Sequence, residues 1–157
     1  MKHRAVFLLL AVAVALLMAS GVALAKTFHC DGGRCRGTNS ADTIYGSAKR
    51  DAIYSLGGAD LVRGDGGADS INGDGGRDRL SGGHGNDGVF GGDDDDLVAG
   101  NKGFDTLNAG NGDDRIEAVD GMTDQITCGN GSHDIVVFDR RIDNLRDRRE
   151  CEVKRPR

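Results

Sequence analysis

Aspartate stands at Asp42, Asp51, Asp60, Asp69, Asp78, Asp87, Asp96, Asp105 and Asp114, one every nine residues without a missed beat, and then at Asp124 and Asp134 after steps of ten. Two residues after each comes an aliphatic side chain: Ile44, Ile53, Val62, Ile71, Leu80, Val89, Val98, Leu107, Ile116, Ile126 and Val136. Glycine keeps the same beat less strictly, opening the unit at Gly64, Gly73, Gly82, Gly91 and Gly100 and returning three places on at Gly67, Gly76, Gly85 and Gly103. Glycine loses more backbone freedom on folding than any other residue, so this composition folds only if something compensates. A period of nine is neither helical nor that of a hairpin array, and it calls for stacked turns.

Each unit divides into a glycine-rich turn and a short strand built on Asp-x-aliphatic. Side chains alternate along a strand, so an inward aliphatic residue sends its two neighbours outward. The residues just before it, among them Thr43, Ser70, Arg79, Gly88, Thr106 and Arg115, are mixed and often polar, as that reading requires.

Gly82-Gly83-His84-Gly85-Asn86-Asp87-Gly88-Val89-Phe90 matches GGxGxDxU, with U aliphatic, at every defined position. Units opening at Gly64, Gly73 and Gly100 depart only at the second place, where Asp65, Asp74 and Asn101 stand. The pattern resembles the calcium-binding nonapeptide of the RTX, or hemolysin-type, family, and it covers roughly residues 37–138. The resemblance implies an all-β protein: a right-handed parallel β-roll, a β-solenoid with two nonapeptides per turn and about five turns. It also implies that several Ca2+ ions bind and that binding is coupled to folding.

Turns of a parallel β-structure lie about 4.8 Å apart, which makes neighbours of aspartates 18 residues apart. One row is Asp42, Asp60, Asp78, Asp96 and Asp114; the other is Asp51, Asp69, Asp87 and Asp105. Bare rows of carboxylates repel, and a hard cation with oxygen ligands reverses the sign of that interaction. Calcium suits the rows better than magnesium, which demands a tight octahedron and keeps its waters. The strict series supplies the expected metal ligands, with Asp124 and Asp134 as less regular additions. Asp65, Asp74 and Asn101 offer either further oxygens or solvated turn positions, and Asp93, Asp94 and Asp95 read as an exposed acidic run. The inward aliphatic core is thin and the chain has no tryptophan, so the metal-free protein is expected to be largely disordered.

At the N-terminus Lys2, His3 and Arg4 precede an apolar stretch that ends in Ala23-Leu24-Ala25, the pattern of a cleaved secretory signal over residues 1–25. The alternative is an uncleaved anchor, since the apolar run is long enough to span a bilayer. Cleavage leaves a secreted, extracellular bacterial protein that does not span the membrane. Family members exported by Gram-negative bacteria commonly carry an uncleaved C-terminal signal instead. Cys30, Cys35, Cys128 and Cys151 form a disulfide framework with three possible pairings, of which proximity favours Cys30–Cys35 and Cys128–Cys151. The resemblance to small exported RTX-repeat proteins points to the same Cys128–Cys151 pairing. Zinc is disfavoured by the spacings. Residues 26–36 and 139–157 are expected to cap the two ends of the roll, which a solenoid needs.

Residues 37–138 hold 19 acidic against 7 basic residues, whereas residues 140–157 hold 8 basic against 4 acidic. The tail lacks interleaved aromatics and adjoins a polyanion, which argues against nucleic-acid binding. No HExxH or GxSxG motif and no EF-hand loop occurs. Ser132-His133-Asp134 holds the residue types of a triad, but sequence neighbours do not converge as a triad must. The chain therefore reads as a calcium-binding protein and not an enzyme. An alternative is a calcium-dependent adhesion or matrix module that engages a cell surface, glycan or protein through Tyr45, Tyr54 and Phe90. Ice binding would need a threonine ladder that the outward positions lack.

Overall fold

The computed structural model describes residues 24–139, 143–146 and 151–154. The segment read as a secretory signal, apart from Leu24 and Ala25, and much of the basic tail lie outside them. Among the described residues there is no helix, hence none long and apolar enough to cross a membrane.

The chain alternates between two parallel sheets. The eight-stranded sheet holds β1 (Thr27–His29), β3 (Thr43–Ser47), β5 (Leu61–Asp65), β7 (Arg79–His84), β9 (Leu97–Lys102), β11 (Arg115–Ala118), β13 (Asp134–Phe138) and β15 (Cys151–Lys154), in that order. The seven-stranded sheet holds β2 (Gly33–Arg36), β4 (Asp51–Tyr54), β6 (Ser70–Gly75), β8 (Gly88–Asp93), β10 (Thr106–Asn111), β12 (Gln125–Asn130) and β14 (Asn144–Leu145). Each strand pairs with the one two before it, so the register joins positions 18 residues apart: Val62 lies beside Leu80, and Leu80 beside Val98. This is the expected β-solenoid, but with about seven turns rather than five.

The extra turns come from the segments read as caps, which are themselves rungs. Phe28 pairs with Ile44 and Cys35 with Ile53, so both occupy the aliphatic position of an additional turn. At the other end Leu145 continues the column of Ile126, and Cys151 stands in register with Asp134. Both favoured disulfides are present, with Cα–Cα distances of 5.8 Å for Cys30–Cys35 and 6.0 Å for Cys128–Cys151. The first joins the residue after β1 to β2; the second ties β12 to β15 and so links the two sheets at the C-terminal end.

All eleven aliphatic residues of the repeat are buried and form one continuous core. The second inward position of each strand changes along the roll. It is Gly64, Gly73, Gly82, Gly91 and Gly100 in the middle, then Ala109, Ala118, Cys128 and Phe138, so the core thickens toward the C-terminal end.

The turn chemistry explains why Asp65, Asp74 and Asn101 are tolerated at the second place of the unit. They adopt φ of 67°, 65° and 70°, a left-handed conformation open to Asp and Asn, where other units use Gly83 or Gly92. At the fourth place the next unit carries Asp94 at φ of 76°, but Gly85 is held further out. Its φ is 135°, and a Cβ there would run into the carbonyl of Gly67 one turn earlier. Gly85→Ala is expected to destabilise the calcium-loaded roll by about 3 kcal/mol or more, combining backbone strain with overpacking. Gly75→Ala, where a Cβ meets nothing within 4 Å, should change stability by less than about 0.5 kcal/mol. Denaturant midpoints of the two variants in calcium check the contrast.

Candidate metal centre

Each aspartate of the repeat sits at the junction of turn and strand, where its main-chain carbonyl enters the ladder: Asp60 O accepts from Arg79 N at 2.8 Å, and Asp78 O from Leu97 N at 2.9 Å. The alternation that sends Leu80 inward also sends Asp78 inward, and the side chains of all eleven aspartates are buried.

The side chains form two continuous rows. In one, the amide of Asp42 donates to Oδ1 of Asp60, that of Asp60 to Asp78, and so on through Asp96 and Asp114 to Asp134; the other runs from Asp51 through Asp69, Asp87, Asp105 and Asp124 to Asp143. All ten bonds measure 2.6–3.0 Å. The insertions before Asp124 and Asp134 thus bulge outward and leave the rows intact.

Asp143 was not foreseen. It follows Asp134 by nine residues and precedes Leu145 by two, so the sequence signal was present but lay inside a segment dominated by arginine.

Within these rows one oxygen of almost every carboxylate has no partner. Oδ2 of Asp60, Asp69, Asp78, Asp87, Asp96, Asp105, Asp114, Asp124 and Asp134, and Oδ1 of Asp51, are buried without a hydrogen bond. An unpartnered buried polar atom is rare in folded proteins, and ten in register require a common explanation. One end of each row differs. Asp42 receives Lys26 N on Oδ1, and Thr38 N and Oγ1 on Oδ2. Asp143 receives Asp124 N on one oxygen and Asp139 N on the other.

The unit-opening glycines make the space. A Cβ on Gly64, Gly73, Gly82 or Gly91 would lie 2.5 Å from Oδ2 of Asp69, Asp78, Asp87 or Asp96 respectively. That same locus is approached by a main-chain carbonyl oxygen of the next turn, Gly82 O for Gly64 and Gly91 O for Gly73. Carboxylate and carbonyl oxygens therefore converge from adjacent turns, with no nitrogen or sulfur ligand among them. Among the described residues no three His, Cys, Asp or Glu side chains form a metal-holding cluster. A cation held here would draw on carboxylates of successive turns and on main-chain oxygens. This all-oxygen, strongly anionic set fits a hard divalent ion.

The electrostatics agree. Burial, opposed by the amide hydrogen bond and reinforced by carboxylates of the same row, pushes Asp78 up to about 8 and Asp96 up to about 7. Asp124 rises to about 7, and Asp69, Asp105 and Asp114 to about 6, again mainly through burial. Asp60, Asp87, Asp134 and Asp143 are raised for the same leading reason.

Asp65 and Asp74 lie outside the rows, exposed at the C-terminal ends of β5 and β6, where Asp74 Oδ1 accepts from Asn72 Nδ2 at 2.6 Å. Asp93 and Asp94 are likewise exposed, and Asp95 pairs with Arg77. Ser132 Oγ approaches Nδ1 of His133 at 2.8 Å, and Asp113 Oδ2 lies 3.4 Å from the same nitrogen. A triad needs the hydroxyl and the carboxylate on opposite ring nitrogens, so this contact cannot relay a proton. Asp134 faces away into its row.

A family model described as the RTX calcium-binding nonapeptide repeat matches the chain in four copies, at residues 36–71, 56–89, 63–98 and 90–121. No curated protein and no solved structure matches it.

Proposed function

Since the chain belongs to the RTX calcium-binding nonapeptide repeat family, we propose that it is a secreted calcium-binding protein whose two aspartate rows hold several Ca2+ ions and fold around them. The observation that carries this reading is the set of ten buried carboxylate oxygens without a partner. We assign the ligand role to Asp51, Asp60, Asp69, Asp78, Asp87, Asp96, Asp105, Asp114, Asp124 and Asp134. Asp42 and Asp143 close the rows with hydrogen bonds alone. Calcium, when bound, neutralises carboxylates that would otherwise face one another unpaired. The opening glycines keep the carboxylates accessible from the adjacent turn, and the hydrogen bond to the other oxygen, an amide on Oδ1 or, for Asp51, Ser47 on Oδ2, fixes which oxygen is presented.

Calcium titration calorimetry on the full chain tests the assignment. Asp78 stands between Asp60 and Asp96, so Asp78→Asn is expected to remove about two bound ions, or to weaken them by tenfold or more, with magnesium a poor competitor in the wild type. Unchanged stoichiometry and affinity in the variant would overturn the ligand assignment.

A further inference from the structure

The calcium reading leaves unused an open strand edge. Among the described residues β2 has β4 on one side and no strand on the other. Alternate residues of a parallel strand bond to the same neighbour. Gly33 N donates to Arg50 O at 3.0 Å and Gly37 N to Tyr54 O at 2.9 Å, both toward β4. Arg34 and Arg36, one place out of step, therefore turn their main-chain N–H and C=O groups to the open side. An edge of this kind is a template for a further strand.

The side chains there define what such a strand carries. Cys35 stands beside Ile53 in the inward column, so Arg34 and Arg36 point outward, and both are exposed. Lys49, Arg77 and Arg115 each pair with a carboxylate, whereas Arg34 and Arg36 have no ion pair among the described residues. With Tyr54 and Leu56 they line a cleft of about 270 Å³. Its lining holds two positive charges and no acid. Asp74, the exposed acid further across this face, stands two strands away on β6 and accepts from Asn72. β1, the corresponding edge of the eight-stranded sheet, turns Thr27 and His29 outward and offers no such cationic pair.

The core is also unfinished at this end, where Phe28, Cys30 and Cys35 are only partly buried. A compact anion would satisfy the guanidinium groups but leave the main-chain groups and the core end as they are. An extended segment answers all three. Its main chain pairs with Arg34 and Arg36, its outward side chains, about 7 Å apart, lie beside the two guanidinium groups, and the residue between them covers Cys35. The chain itself holds no such strand. Residues 1–23 contain no acid, and the other strands at the ends of the sheets, β1, β14 and β15, have Glu152 as their one acid.

We propose that β2 binds an acidic segment of another protein as an added strand, with acid-apolar-acid alternation that places carboxylates at Arg34 and Arg36 and the apolar residue over Cys35. The proposal goes beyond the calcium reading and depends on it only for the folded state of the roll.

The test is calorimetry of the full chain in calcium with three end-capped peptides. These are Glu-Val-Glu-Val-Glu, its lysine counterpart, and the acidic peptide N-methylated at every residue, which keeps the charges and loses the main-chain donors. Arg34→Ser/Arg36→Ser is the variant, and the calcium-induced circular dichroism change is recorded in parallel. The acidic peptide should bind and the other two should not. The double variant should bind it at least about tenfold more weakly, the loss expected for charge-assisted hydrogen bonds, with its dichroism unaltered. Equal binding of the N-methylated peptide would mean charge attraction without strand pairing and would overturn the proposal, as would equal binding by the double variant. Absent binding by a chain that shows the calcium-induced change would overturn it too and leave the calcium reading standing; sedimentation velocity then tells whether a second copy holds the edge. Selective binding of the acidic peptide without any calcium-induced change would uphold the edge and sink the calcium reading.

Discussion

Calcium-depleted protein at pH 7.5 is expected to show the far-ultraviolet circular dichroism of a disordered chain, and millimolar calcium to restore a β spectrum in one cooperative step. The reason is the set of ten buried oxygens without a partner. Leaving a buried polar group unsatisfied costs roughly 1–3 kcal/mol, more when it is charged. Ten such costs, about 10–30 kcal/mol, are as large as or larger than the margin of about 5–15 kcal/mol by which an ordinary domain stays folded. The core offers little to offset them, since Gly46, Gly64, Gly73, Gly82, Gly91 and Gly100 occupy its second inward positions. A depleted protein that keeps its β spectrum and cooperative melting at neutral pH would refute the coupling of folding to calcium.

Acid should do part of the work of the metal. The row carboxyls that rise to about 6–8 in the folded state start from an ordinary value of 3.8. A carboxyl whose folded value is raised contributes stability that is fully present below the unfolded value and is lost as pH rises through the folded one. Calcium-free protein should therefore be most folded near pH 4 and unfold progressively between about pH 6 and 8. Calcium affinity should move the opposite way, weakening on acidification because protons compete for the same oxygens. Dichroism of depleted protein from pH 4 to 8, with and without added calcium, reads both slopes. A metal-free signal that grows with pH would contradict the burial of the rows.

The architecture was legible because the nonapeptide leaves its mark twice in every unit, at the aspartate and at the aliphatic position two residues on. The ends were less so. Phe28 and Cys35 occupy aliphatic positions, but Lys26 and Gly33 stand where the aspartates would be, so nothing marked those rungs. Cys151 likewise replaces an aspartate.

The orphan oxygens depend on which carboxylate oxygen each amide selects, a cross-turn property that a linear pattern does not carry. Surface aromatics were read less well for the same reason. Tyr45 stacks on His29 with ring centroids 5.2 Å apart and, like Tyr54, is half-buried. Phe104, which the alternation did not single out, is 54% exposed, against 38% for Phe90.

The repeating register between Asp60 and Asp105 has an evolutionary consequence. Every interior turn presents the same amide, carboxylate and glycine to both neighbours, while the distinctive chemistry resides at the two ends. Such a chain changes length in quanta. Loss or duplication of eighteen residues keeps every later strand in its own sheet and leaves the terminal disulfides facing their partners. A change of nine exchanges the sheets downstream and reverses the side on which Cys128 and Cys151 emerge. Either change leaves both disulfides intact, because each pair lies within one end, but only a change of eighteen keeps the two ends on their present sides of the roll.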